Sequence, residues 1–151
     1  MATRFVCVVF HRRSPATGEM EFLVVDSRSS DPRTGRRSQV QVKFPGGTNQ
    51  EHPGELVEET RDREAWEETR LAFLMSKQIL MRVVGSHTRY GFLVDYDRDC
   101  RGEVRTCPML DDGRDELAAP RWVVAEVLEQ ELFHSHREFF VAACHELGIV
   151  F

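Results

Sequence analysis

The sequence predicts an α/β fold in which a sandwich of strands packs with two helices. Short runs rich in β-branched and aromatic residues recur along the chain between turn residues, which is typical of strands. The segment 63–68 is rich in Glu, Arg and Ala, which favour a helix. Apolar residues recur at helical spacing across 133–147, near the C-terminus.

The first half of the chain reads as a hairpin followed by a third strand. Phe5–His11 and Glu21–Asp26 are predicted strands, joined across Ser14–Gly18, whose Pro and Gly signal a turn. Ser27–Arg37 is a polar loop. Val40–Phe44 alternates as a strand does and leads into a pair of glycines.

The second half begins with the acidic helix and ends with an apolar one. Leu80–Ser86 and Tyr90–Tyr96 are predicted to form a strand pair. Asp97–Glu116 is a long polar loop, and loops of such length are usually either functional or disordered. Arg121–Val124 is a further strand, and Phe133–Leu147 is the closing helix.

Length and composition bound the class of protein. At 151 residues we expect one domain, and a net charge of −5 gives no support to broad electrostatic binding of nucleic acid. The chain has no apolar run of membrane-spanning length, so we expect a soluble cytoplasmic protein. Its four cysteines are scattered without CxxC spacing, which indicates neither a zinc site nor a disulfide framework; they are Cys7, Cys100, Cys107 and Cys144.

The most informative feature is a cluster of glutamates on the acidic helix. Glu64, Glu67 and Glu68 stand at i, i+3 and i+4, so they share one face. Like charges four residues apart destabilise a helix by roughly 0.2–0.5 kcal/mol per pair, which predicts a compensating cation. The alternative is a solvated helix on which Arg61 and Arg63 pair with neighbouring glutamates and no function is needed.

Two turn signals favour the cation. Phe44-Pro45-Gly46-Gly47 supplies a loop whose backbone can approach a ligand, and Pro53-Gly54 marks a turn before the helix. Mg²⁺ and similar hard cations take oxygen ligands and are commonly held by carboxylates together with substrate phosphates. Loop, turn and acidic helix together predict a metal-phosphate site.

The same residues closely resemble the signature of the Nudix hydrolases. That signature is Gly, five residues, Glu, seven residues, then Arg-Glu-apolar-any-Glu-Glu-any-Gly-apolar, and Glu55 through Leu71 follow it in register. Gly47 lies two residues further from Glu55 than the pattern requires, which lengthens a surface loop at small entropic cost. Arg70 stands in place of the final glycine, so either the helix runs on or Arg70 adopts a left-handed conformation at about 1–2 kcal/mol.

The resemblance implies a fold, a cofactor and a reaction. The fold is an α/β/α sandwich with a mixed central sheet, as a single Nudix domain over 1–151. Glu64, Glu67 and Glu68 would ligate Mg²⁺ or Mn²⁺ and serve catalysis, and Arg63 and Glu55 would brace loop and helix. The reaction is water attack on phosphorus in a nucleoside diphosphate linked to another group, with a nucleoside triphosphate or a dinucleoside polyphosphate as the expected substrate.

Residues outside the signature are assigned with plainer alternatives beside them. Glu116 is the candidate fourth acid or general base, with Asp115 and Glu103 competing and simple solvation as the alternative. Substrate contacts are assigned to the loop glycines, to two basic loop residues whose guanidinium groups match phosphate oxygens, and to one aromatic residue: Gly46, Gly47, Arg28, Arg37 and Tyr90. Surface charge is the alternative for the arginines, and strand packing for Tyr90.

Two functional classes remain from the sequence. The first is a metal-dependent pyrophosphohydrolase, and the second is a non-catalytic module that senses a nucleotide or binds a partner. All three expected metal ligands are present, which favours the enzyme. Capped or triphosphorylated RNA is an alternative substrate that no residue specifically supports, and a dimer is compatible with the sequence.

Overall fold

A computed structural model describes residues 3–104 and 115–151, with the side chains of Asp115 and Glu116 outside that description. The strands are β1 (Thr3–Arg13), β2 (Met20–Ser29), β3 (Gln41–Lys43), β4 (Gly46–Thr48), β5 (Ala72–Phe73), β6 (Lys77–Val84), β7 (His87–Asp95), β8 (Cys100–Arg101), β9 (Asp115–Leu117) and β10 (Arg121–Val124). The helices are α1 (Val57–Thr69), α2 (Tyr96–Asp99), α3 (Ala125–Glu131) and α4 (Arg137–Leu147), with a 3₁₀ turn at His134–His136.

The central sheet is mixed. Its main order is β10-β2-β1-β7-β6, with β3 and β9 pairing to β2 and β4 pairing to β1, which makes eight strands. β1 and β7 run parallel, whereas β6 pairs antiparallel to β7. A separate ladder joins β5 and β8.

The two faces of this sheet are covered by different helices. Val8 and Phe10 of β1 pack with Ala65 of α1. The alternate residues Cys7 and Val9 pack in a second cluster that includes residues of α4. This alternation follows from the two-residue period of a strand, and it confirms the α/β/α sandwich with a mixed sheet.

The sheet forks where it meets α1. β1 pairs with β2 through 11–13 and with β4 through 5–7, while β3 pairs with the far part of β2. The connection between β3 and β4 is held at the fork, because the backbone N–H of Val8 donates to the carbonyl of Pro45 at 2.8 Å. The fork brings Gly46 and Gly47 beneath α1.

The prediction of two helices was wrong, because the structure also contains α2 and α3. The first is a single turn whose N-cap is Asp95, and the second has seven residues, too few for a clear helical period. The long loop expected at 97–116 contains most of α2, then β8 and part of β9, and 105–114 lies outside the described residues. The final helix begins at Arg137 rather than at Phe133, after the 3₁₀ turn.

The observed strands differ less from the predicted ones than the helices do. The predicted strand Leu80–Ser86 is β6, which begins earlier and ends at Val84, because Gly85 has a φ of 60° and makes the turn into β7. The longest described helix, α1, has 13 residues, and none of the described helices is long and apolar enough to cross a membrane.

Helix α1 ends at Arg70 in a left-handed conformation, with φ 60° and ψ 26°. Of the two alternatives left by the sequence, the helix therefore stops and Arg70 adopts the strained geometry. The guanidinium carbon of Arg70 lies 5.3 Å from the ring centroid of Trp66, a cation–π contact that offsets part of the strain.

We expect Arg70→Gly to raise the free energy of unfolding by about 0.5–1 kcal/mol, because glycine adopts this conformation without the cost of a Cβ. Arg70→Ala is the matched control, since it keeps the strain and loses the ring contact, and it should lower stability. Urea denaturation of the two variants measures the difference. Equal stability of the two variants would contradict this account of the helix end.

Candidate metal and catalytic site

Arg63 lies at the centre of the acidic cluster. Its Nε and Nη2 donate to the two carboxylate oxygens of Glu55 at 2.8 and 2.9 Å, a bidentate pair. Its Nη1 donates to Glu64 at 3.0 Å and to Glu67 at 3.2 Å. Its Nη2 also reaches the carbonyl of Thr48 at 3.2 Å. One guanidinium thus joins the loop before α1, the helix itself and β4.

The two loop glycines are needed because α1 approaches so closely. The backbone N–H of Gly46 donates to Oε2 of Glu68 at 2.9 Å. A Cβ at Gly47 would lie 2.4 Å from the carboxylate of Glu64, and one at Gly46 would lie 2.3 Å from the carbonyl oxygen of Val6. The structure therefore brings Gly46, Gly47, Glu64 and Glu68 together.

The charged forms of two glutamates in the cluster are disfavoured by burial. Burial raises the pKa of Glu64 to about 7, although Arg63 acts in the opposite direction, and Glu67 adds to the rise. Burial also raises the pKa of Glu68 well above its usual value, with Glu64 as the next cause. The hydrogen bonds from Arg63 lower the pKa of Glu55 instead. The charged form is therefore favoured at Glu55, the carboxylate to which Arg63 donates two hydrogen bonds.

These residues fit a divalent cation in their chemistry. Carboxylate oxygens are the ligands that Mg²⁺ and Mn²⁺ prefer, and the raised pKa values show where added positive charge would be favourable. Within 3–104 and 115–151, no three His, Cys, Asp or Glu side chains already converge as a metal site. The reason is visible in the contacts: Glu64 and Glu67 turn toward Arg63, and Glu68 accepts from Gly46.

The raised pKa of Glu64 predicts a pH dependence of stability. The folded protein holds this proton more tightly than the unfolded chain, whose value is near 4.5. The contribution is therefore fully present below about pH 4.5 and is lost as pH rises through about 7. In metal-free buffer the free energy of unfolding of Glu64→Gln should rise relative to that of the wild type by roughly 3 kcal/mol between about pH 4.5 and 7. Added Mg²⁺ should remove this difference. A difference in unfolding free energy that stays constant from pH 4.5 to 8 would contradict the assignment.

The two predicted substrate arginines meet at a separate pocket. Arg28 and Arg37 line a cavity of about 240 Å³ with Val40 and Leu117 as apolar wall. No residue of α1 or β4 is among its lining residues. The structure thus brings the two arginines together with each other rather than with the glutamates.

The remaining predicted residues are placed by strand register. The backbone of Glu116 lies in β9 directly opposite Arg28, while its side chain and that of Asp115 lie outside the described part of the chain. Glu103 is exposed in a loop. Tyr90 is half-buried in β7 on the face that carries α1, since it alternates with Val94 of the α1 cluster.

Register also relates Tyr90 to the glycine loop. Val6 of β1 pairs with Tyr90 on one side and with Gly47 on the other. Neighbouring strands lie about 4.8 Å apart, which puts the backbones of Tyr90 and Gly47 about 10 Å from each other.

Sequence reasoning missed two residues that hold the loop. Arg4 donates from Nη2 to the carbonyl of Glu55, and its backbone N–H donates to the side chain of Asn49 at 2.9 Å. His136 accepts the backbone N–H of Phe44. Nothing in the spacing of His136 along the sequence indicates a hydrogen bond to a residue 92 positions away.

The fold has clear relatives among solved structures. A NUDIX hydrolase from Nitrosomonas europaea aligns with a TM-score of 0.64 at 16% identity, covering 100% of this chain and 93% of that one. The chain has the Nudix fold. A MutT NUDIX hydrolase from Burkholderia pseudomallei aligns with a TM-score of 0.60 at 20% identity, over 94% of this chain and 98% of the other. An Ap4A hydrolase from C. elegans aligns with a TM-score of 0.58 at 15% identity, over 97% and 98%.

Likeness of sequence does not extend as far as likeness of fold. No family model and no curated protein matches the chain. The Nudix fold nevertheless carries, in this chain, the Glu55–Arg63 pair and the three glutamates in the register of the signature.

Proposed function

We propose that the protein is a metal-dependent hydrolase that cleaves a phosphoric anhydride in a nucleoside diphosphate linked to another group. The observation that carries this proposal is the cluster of three glutamates on a Nudix fold, in which Glu64 and Glu67 accept from Arg63 and Glu68 accepts from Gly46. Burial disfavours the charged forms of Glu64 and Glu68, so these carboxylates weaken the fold unless a cation compensates, and the presence of all three expected metal ligands favours the enzyme over a non-catalytic module.

The chain's residues divide the work as follows. Glu64, Glu67 and Glu68 would hold Mg²⁺ or Mn²⁺, which when bound neutralises developing charge on phosphoryl oxygens and lowers the pKa of the attacking water. Arg63 and Glu55 fix the helix to the loop. Glu116 is the proposed general base.

A nucleoside triphosphate or a dinucleoside polyphosphate is the proposed substrate. Arg28 and Arg37 line the same pocket, and their guanidinium groups can bind phosphate oxygens. Tyr90 lies on the face of the sheet that α1 covers, and its backbone is about 10 Å from that of Gly47. Its ring is the proposed contact for the base of a nucleotide whose phosphates reach the glutamates.

We further propose that the chain acts as one Nudix domain in the cytoplasm. Cys7, Cys100 and Cys144 are free thiols, the state that a reducing compartment maintains.

A substrate screen with product identification tests the proposal. Nucleoside triphosphates, dinucleoside polyphosphates, nucleotide sugars, and capped or triphosphorylated RNA are incubated with the protein in Mg²⁺ and in Mn²⁺. We expect turnover that requires the metal and disappears in Glu67→Gln, which also excludes a contaminating phosphatase. Nucleotide binding without turnover on any of them would instead establish the non-catalytic module.

A further inference from the structure

His136 is a buried side chain with an unusual partner. It is 4% exposed, and its Nδ1 accepts the backbone N–H of Phe44 at 3.1 Å. Aromatic rings enclose the imidazole, with centroids 5.6 Å away for Phe5, 5.8 Å for Phe139 and 6.1 Å for Phe44. The ring is packed like a phenylalanine but offers a lone pair.

The imidazole is neutral at neutral pH. Burial lowers the pKa of His136 to about 3, and the positive charges of Lys43 and Arg89 act in the same direction. Because the backbone N–H is a donor, Nδ1 carries no proton and Nε2 carries it. The acceptor that holds Phe44 is therefore present at neutral pH.

The bond to Phe44 is the last of a short series between the C-terminal region and β3. Leu132 forms a bridge with Val42, and the N–H of Phe133 donates to the carbonyl of Val42 at 2.9 Å. His136 extends this series by one residue with its side chain. Losing the acceptor would leave the N–H of Phe44 buried and unpaired, which is unfavourable.

The two residues after Phe44 connect it to Glu68, a candidate metal ligand. Pro45 has a fixed φ, and its carbonyl accepts from Val8 at 2.8 Å. Gly46 then donates to Glu68 at 2.9 Å, and a Cβ at Gly46 would lie 2.3 Å from the carbonyl oxygen of Val6. Three consecutive residues are each held by one hydrogen bond.

We propose that His136 is a positioning residue that sets the Glu68 carboxylate through Phe44-Pro45-Gly46. It touches neither substrate nor metal ligand and acts only through this backbone. The inference rests on the proposed function for its catalytic consequence, but the link from His136 to Gly46 stands in the metal-free protein.

Three variants separate the acceptor from the packing. His136→Phe keeps the ring volume and removes the acceptor. His136→Asn places Oδ1 near the position of Nδ1 and restores an acceptor. His134→Phe is the matched control, because His134 belongs to the same 3₁₀ turn and is exposed.

The first readout is hydrogen exchange of the Gly46 amide in metal-free protein, followed by NMR. We expect exchange at least tenfold faster in His136→Phe, near wild-type exchange in His136→Asn, and no change in His134→Phe. An unchanged Gly46 amide in folded His136→Phe would overturn the proposal, as would global loss of protection that leaves Gly46 no more affected than the sheet.

The second readout is the split between kcat and KM. Misplacement of a catalytic group by about 1 Å costs on the order of a hundredfold, so kcat of His136→Phe should fall 10- to 100-fold with KM within about twofold. His136→Asn should recover most of kcat. Equal impairment of the folded Asn and Phe variants would overturn the proposal. If the wild type turns over no substrate while the Gly46 amide responds as expected, the proposed function fails and the positioning role stands.

Discussion

Replacing Glu68 by glutamine is expected to lower turnover by about three orders of magnitude. The carboxylate is one of three that would hold the metal, and a metal's stabilisation of developing phosphoryl charge is worth several kcal/mol, of which about 4 kcal/mol corresponds to a thousandfold. Glutamine keeps an oxygen that can accept from Gly46, so the loop contact survives. Steady-state kinetics over a range of Mg²⁺ concentrations measure the loss.

The same substitution should not damage the fold. Burial and the neighbouring Glu64 both disfavour the charged form of Glu68, so a neutral side chain should leave thermal stability equal or higher in metal-free buffer. Glu58→Gln is the matched control, since Glu58 is an exposed residue in the first turn of the same helix. Lost activity that follows lost folding would argue for a purely structural role.

Arg63→Gln is expected to have the largest effect on stability. Arg63 is 20% exposed and bonds to the carboxylates of Glu55, Glu64 and Glu67. Its removal leaves these charges without their shared partner, and breaking a buried pair from one side costs about 3–5 kcal/mol, reduced here to about 2–4 kcal/mol by partial exposure. Urea denaturation in metal-free buffer measures the loss.

Two companion variants test the reason for that loss. Arg63→Lys keeps the charge but not the fork, so it should recover only part of the stability. Adding Glu55→Gln to Arg63→Gln should recover part of it by removing an unpaired carboxylate. An Arg63→Gln variant as stable as the wild type would show that the guanidinium does not hold the cluster.

The sequence was sufficient for the features that depend on local spacing. Glu64, Glu67 and Glu68 share a face because a helix repeats every 3.6 residues, and the structure has that helix at Val57–Thr69. Runs rich in β-branched and aromatic residues indicated the strands β1 and β2, and the Nudix resemblance implied the layers around the sheet. These predictions require no knowledge of distant contacts.

Features that depend on distant contacts could not be predicted from one sequence. The bond between Phe44 and His136 spans 92 residues, and the fork that brings Gly46 under α1 depends on Val8 binding Pro45. The left-handed conformation of Arg70 contradicts the usual preference of a residue with a Cβ, so the sequence left two alternatives open. The shared pocket of Arg28 and Arg37 likewise depends on strand pairing rather than on spacing.

The central claim is that the glutamates of α1 hold a divalent metal ion, and titration with Mn²⁺ followed by electron paramagnetic resonance tests it most directly. Free Mn²⁺ is counted in the presence of wild-type protein, Glu68→Gln and Glu58→Gln, each with and without a non-hydrolysable nucleotide. We expect the wild type and Glu58→Gln to bind Mn²⁺ alike and Glu68→Gln to bind at least tenfold more weakly. Binding by Glu68→Gln as tight as that of the wild type, or no binding by the wild type even with nucleotide, would contradict the claim.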